Sequence, residues 1–150
     1  MKELVIETLK CIGCYSEDAV NLILGVIAQE SSFGKYRRQI GGGPALGIVQ
    51  MEINTHNDIV KNFLIYHKDL GKKILSCAGI AAFSPLQLEG NDKYAICMAR
   101  MQFYRRPTPI PHRLEEQAAM WKKYYNTFLG AGTVEEYIKN YNKYVVPLNS

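Results

Sequence analysis

Residues 16–33 read SEDAVNLILGVIAQESSF, and this stretch decides the fold. Ser16 followed by Glu17 and Asp18 is an N-cap with acids in the first turn, where unpaired backbone N–H groups and the helix dipole favour them. Ala19, Val20, Leu22, Ile23, Leu24, Val26, Ile27 and Ala28 then make a helix that is apolar nearly all round. Such a helix belongs at the centre of a domain, wrapped by others. It runs straight into Gln29-Glu30-Ser31-Ser32, so a carboxylate stands at the end of a core helix.

Outward from that helix, helical periodicity dominates. Leu4, Val5, Thr8 and Leu9 predict a short first helix broken near Gly13. Residues 33–47, FGKYRRQIGGGPALG, are irregular, because three glycines and a proline suit neither a helix nor a regular strand. A helix capped by Asn54 or Thr55 follows and runs through Asp58, Ile59, Phe63 and Leu64. Another covers Lys72 to Ala82. Asn91 opens a further one with Tyr94, Ala95, Met98, Ala99, Met101 and Gln102 inward, ended by the prolines after Arg106. Leu114 to Tyr125 is helical, and Thr133-Val-Glu-Glu136 is a capping box for the last helix, with Tyr137, Ile138, Tyr141 and Tyr144. The expectation is one domain over residues 1–150, mainly α, with a small irregular or β insertion around residues 33–50.

Composition agrees with a globular chain: 150 residues, 47% apolar, 21% charged, 12 Gly and 6 Pro. Disordered, collagenous and low-complexity classes are excluded. No apolar run approaches the ~20 residues that span a bilayer, so stable membrane insertion is not expected. The N-terminal stretch carries acids where an export signal would be basic, which predicts synthesis without an ordinary signal peptide. The net charge of +4 lies in residues 100–150, with eight basic and four acidic residues. That excess is too mild for a nucleic-acid domain.

Cys11, Cys14, Cys77 and Cys97 raise a zinc reading, and Cys11-Ile-Gly-Cys14 has the spacing of a redox pair. Zinc modules carry a second close pair, whereas Cys77 and Cys97 are twenty apart. The expectation is therefore four free, partly buried thiols in a reducing compartment, with no metal and no cofactor.

The chemistry concentrates in Ala28-Gln-Glu-Ser-Ser-Phe33 and Gly47-Ile-Val-Gln-Met51. Burial raises a glutamic acid's pKa, which keeps it protonated near neutral pH and able to act as a general acid. Cleavage of a glycosidic bond needs that acid, since the leaving oxygen must be protonated as the ring turns oxocarbenium-like. Glycine-rich backbone lets a polymer approach closely, and a glutamine both donates to and accepts from sugar hydroxyls and amides.

At these residues the chain resembles the lysozyme-like superfamily, specifically the soluble lytic transglycosylase domain. Its signature is glutamate-serine-x-aromatic, a loop, then glycine, two apolar residues and glutamine. Glu30-Ser31-Ser32-Phe33 and Gly47-Ile48-Val49-Gln50 match in type and order. The resemblance implies a lysozyme-like α+β fold and cleavage of the β-1,4 bond between N-acetylmuramic acid and N-acetylglucosamine in peptidoglycan. It puts the catalytic acid on Glu30 and a substrate-groove role on Gln50 and Gly47, while Ser31, also counted with the groove, would support the helix end or the acid. The family's helix motif, a small residue followed by tyrosine, is sought between Ala99 and Tyr104. Its late alanine-tyrosine-asparagine-x-glycine segment should fall near Ala118-Ala119-Met120-Trp121. Met120 and Trp121 stand there instead, and Tyr124, Tyr125 and Asn126 lie a turn further on.

Glu52 replaces an apolar residue of related domains. Glu52 and Asp58 are the acids that would convert a single-carboxylate lytic mechanism into a hydrolytic one. The expected groove set is thus Ser31, Gly47, Gln50, Glu52, Tyr104 and Tyr125 around Glu30, with His56 a weaker candidate. The alternatives are a hydrolytic muramidase and a non-catalytic wall-binding or virion protein. The resemblance also suggests a phage endolysin or a virion-borne lysin. Its partners would be glycan strands and virion or tail components, and it would reach the wall after release or particle delivery.

Overall fold

The computed structural model describes residues 1–39, 42–126 and 130–149. Ile40 and Gly41, part of the glycine-rich stretch, lie outside the described residues. The predicted core helix is α2 (Glu17–Ser31), and the Ser16 hydroxyl accepts from the Ala19 N–H at 3.0 Å. Leu22, Ile23, Leu24, Val26 and Ile27 are fully buried. Around α2 pack α1 (Lys2–Cys11), α6 (Asp92–Tyr104), α7 (Leu114–Trp121) and α8 (Val134–Tyr144). The core is one continuous cluster, in which Trp121, Tyr94, Tyr137 and Phe103 are the largest enclosed side chains.

The other strands and α-helices are β1 (Ala45–Leu46), β2 (Met51–Glu52), α3 (Ile53–Asn62), α4 (Lys68–Ala78) and the single turn α5 (Gln87–Gly90). The chain is therefore mainly helical with a small β insertion. β1 and β2 pair antiparallel, Ala45 opposite Glu52 and Leu46 opposite Met51, and Arg38 bridges to Leu46. Asn91 and Thr133 cap α6 and α8 as read, accepting from the N–H groups of Tyr94 and Glu136 at 3.1 Å.

Three helices differ in their bounds from the expectation. α3 begins directly after β2 with Glu52 at its N-cap, so Asn54 and Thr55 lie inside the helix. α4 starts a turn before Lys72 and ends at Gly79, whose φ of 72° suits a glycine and stops the helix before Ile80. α7 does not continue as an α-helix to Tyr125, because Lys122–Asn126 widen into a π-turn. Such turns shift every following side chain around the axis.

The cysteine expectation is corrected. Cys11 on α1 and Cys77 on α4 form a disulfide, with Cα atoms 6.2 Å apart and a sequence separation of 66. Cys14 and Cys97 are buried and unbonded. The pairing removes two of the four thiolates from any zinc site and separates the Cys11/Cys14 pair. Bonds of this kind form and persist in oxidising surroundings. Among the described residues, no helix is long and apolar enough to cross a membrane.

Candidate active site

Glu30 sits in the last turn of α2, where the chain leaves the core. Ser32, Phe33 and Gly34 follow in left-handed conformation, with φ of 51°, 63° and 90°. These turn the backbone away abruptly and expose the helix end to a cleft of about 650 Å³. Ser31 stabilises that corner. It is fully buried, and its hydroxyl lies 3.0 Å from the Ile27 carbonyl and 2.6 Å from the Ile48 carbonyl while accepting from the Gly34 N–H at 2.8 Å. Its single proton is taken by these backbone carbonyls, and the side chain has no exposed surface to offer a ligand. Ser31 thus supports the helix end, as one reading of it expected, and its place among the groove contacts is corrected: it brackets the helix of Glu30 to the segment carrying Gln50.

Gly47–Gln50 is the turn of the β1–β2 hairpin. Gly47 has φ of 80°, and a Cβ there would collide with the Leu88 carbonyl oxygen. Its role is backbone placement, not the groove contact expected. Ile48 and Val49 are fully buried beneath the turn, which anchors it to the core. Gln50, at φ of 46°, points into the cleft, and its Nε2 donates to the Gly47 carbonyl at 2.9 Å. Glu52 on β2 is exposed and lines the same cleft.

The opposite wall comes from the end of the chain. Tyr125 lines the cleft and donates its hydroxyl proton to the Val49 carbonyl at 2.6 Å, joining the two walls behind Glu30. Burial and the nearby Glu30 charge hold that phenol well above its ordinary pKa, so it stays protonated. Asn126, Gly130, Ala131, Gly132 and Glu136 complete the wall. Lys122 ties it together by donating to Asn126 Oδ1 at 2.7 Å and to the carbonyls of Gly130 and Gly132 at 2.9 and 2.6 Å.

Three further candidates fall elsewhere. Tyr104 is 47% exposed and faces a different depression, beside Ile65, Tyr66 and Lys73, so its assignment to the groove is corrected. The likeness of Ala99–Tyr104 to the family motif put it there, but the helical register carries Tyr104 away from Gln102, which does line the cleft. Asp58 pairs with Arg105 at 2.6 Å, which with the Asn62 hydrogen bond holds its carboxyl below the usual range. It does not line the cleft. His56 is buried, its Nδ1 2.9 Å from Asn57 Oδ1 and its Nε2 2.6 Å from the Tyr94 hydroxyl. It is a satisfied core histidine whose pKa burial lowers.

Glu30 has the chemistry of a general acid. Burial raises its carboxyl pKa to about 7, opposed by a hydrogen bond from the Trp121 indole N–H to Oε2 at 2.9 Å. Near neutral pH such a group is available both as donor and as acceptor of a proton. Sequence reasoning missed Trp121, Lys122, Tyr36, Gln102 and Glu136. A signal for Trp121 was present, because it stands where the late motif of the resembled family would fall. Compared with protein-family models, curated proteins and solved structures, the chain matches none.

Proposed function

We propose that this cleft cleaves the β-1,4 bond between N-acetylmuramic acid and N-acetylglucosamine in peptidoglycan, as a lytic transglycosylase. The observation that carries the reading is Glu30, a carboxyl with a pKa near 7 at the end of a buried helix, opening on a cleft lined by Gln50 and Tyr125. The order of residues in the Glu30-Ser31 and Gly47–Gln50 segments supports the same chemistry.

Glu30 gives its proton to the glycosidic oxygen as the bond to the muramic acid C1 breaks. The 6-hydroxyl of the same sugar then bonds to C1, and its proton returns to the Glu30 carboxylate. The products are a free 4-hydroxyl and a 1,6-anhydro ring, with no water consumed. Gln50 suits sugar amides and hydroxyls, since its side chain offers both donor and acceptor.

Glu52 favours a second reading, hydrolysis, because it lines the same cleft and has no cation partner among the described residues. A carboxylate there would guide water to C1. Mass spectrometry of digested peptidoglycan decides between them. The expected result is 1,6-anhydromuramoyl ends and a loss of at most a few-fold in Glu52→Gln. Reducing muramic acid ends with a severe Glu52→Gln defect establish the hydrolase. No products at all from folded protein leave a wall-binding role.

A further inference from the structure

Glu30 receives a single side-chain hydrogen bond among the described residues, and its donor is chemically one-sided. An indole N–H donates and never accepts. The Trp121 N–H reaches Oε2 at 2.9 Å. When the carboxyl is protonated, the proton therefore cannot lie between Oε2 and the indole. Oε1 meets no partner among the described residues, on a side chain that lines the cleft. Tyr125 does not compete, because its one hydroxyl proton goes to the Val49 carbonyl.

We propose that Trp121 is the positioning residue of the acid: it holds Oε2 and leaves Oε1 as the oxygen that releases and recovers the proton. This rests on the reading of the cleft given above and names how its acid is oriented. The same bond strengthens as Glu30 becomes a carboxylate, since a charged acceptor draws a donor more strongly than a neutral one. It thus favours the state that follows proton transfer and keeps the acid from being held neutral by burial alone.

The indole is itself fixed from the helix that carries Glu30. Trp121 is fully buried and packs on the Tyr137 ring at a centroid distance of 5.2 Å and a 32° tilt. The Tyr137 hydroxyl donates to the Leu22 carbonyl at 3.1 Å, and Gly25 admits it because a Cβ there would collide with that hydroxyl. Gly132 covers the far edge of the indole, and a Cβ there would press on Cη2 at 2.7 Å. The contacts run from α2 to α8, to α7 and back to α2, so the N–H and the carboxyl are set by one frame. Supports of this kind fix an acid's geometry before substrate arrives.

The test is a carboxyl-carbon NMR titration of Glu30 in the intact chain, alongside peptidoglycan cleavage against pH. Two variants are compared: Trp121→Phe, and replacement of Trp121 by benzothienylalanine, which keeps the shape of the ring and removes only the N–H. A hydrogen bond to a charged group corresponds to a rise of about one to two pH units in Glu30 when it is lost. The basic limb of kcat should move upward with it, kcat should fall roughly tenfold, and KM should stay unchanged. The benzothienylalanine protein keeps the test valid if the phenylalanine variant does not fold. An unmoved Glu30 titration in a folded, active benzothienylalanine protein overturns the proposal. A shifted titration in a protein that never cleaves peptidoglycan leaves the Trp121–Glu30 coupling intact and overturns the glycan reading instead.

Discussion

The two walls of the cleft are built by different means. The wall holding Gln50 is a tight hairpin whose parts touch in sequence order, with Ile48 and Val49 pinned in the core and Gln50 turned outward. The facing wall is made by a π-turn and a loop gathered around one ammonium group, Lys122. One is held by apolar burial, the other by polar clasps. The first should resist perturbation until it fails altogether, while the second should loosen in steps.

The sharpest break is at the acid that both walls serve. Glu30→Gln is expected to lower cleavage by more than ~100-fold, the size of a general-acid contribution, in a zymogram or muropeptide assay. The same variant reports on burial. The folded pKa is near 7, above the ordinary carboxylate value, so folded protein holds the proton longer than unfolded protein. Native stability therefore falls as pH rises from about 4.5 to 7, by about 3 kcal/mol. Glu30→Gln should be more stable than the parent at pH 8 by that order and nearly equal at pH 4, as read by urea unfolding.

Gly47→Ala tests the apolar wall. Left-handed strain and the collision with the Leu88 carbonyl should together cost about 4 kcal/mol in denaturant unfolding, with activity lost alongside. If that variant is stable but inactive, the hairpin is less rigid than its packing implies. Lys122→Met tests the polar wall and should cost about 1–2 kcal/mol, with KM rising several-fold and kcat little changed. A collapse as large as that of Gly47→Ala would erase the distinction between the walls. Asp58→Asn lies outside both. Its pair with Arg105 is half exposed, so stability should change by less than about 1 kcal/mol and cleavage by less than twofold.

The same contrast explains how far the sequence could be read. Residues 16–33 carry local signals, a cap, a periodic apolar face and a stop, so α2 and the place of Glu30 follow directly. Asn91 and Thr133 are legible for the same reason. The Gly47–Gln50 turn is legible as a motif, but the use of Ser31 as a bracket needs the meeting of two segments 17 residues apart. Tyr104 was misplaced because a motif assigned without a fixed register can slip by part of a helical turn. The π-turn has no periodic signature, since one widened turn leaves the apolar spacing on either side almost unchanged. That turn puts Tyr125 and Asn126 into the cleft. The Cys11–Cys77 pair is illegible on its own, because four cysteines allow three pairings and nothing local selects among them.

That disulfide also divides the molecule in a way its position does not suggest. Residues 11–77 form a covalent ring, and Glu30, Ser31 and the Gly47–Gln50 hairpin are part of it. Trp121, Lys122 and Tyr125 lie on the open tail beyond it. A protease cut in the exposed stretch at Arg37, Arg38 or Gln39 would leave one molecule of unchanged mass plus a water, separable into two pieces only by a reductant. A cut after Arg106 or Lys123 would give two pieces that separate on denaturation with no reductant. Glu30 and the hairpin thus share one covalent loop, whereas the opposing wall is tied to them by a single run of chain and by folding.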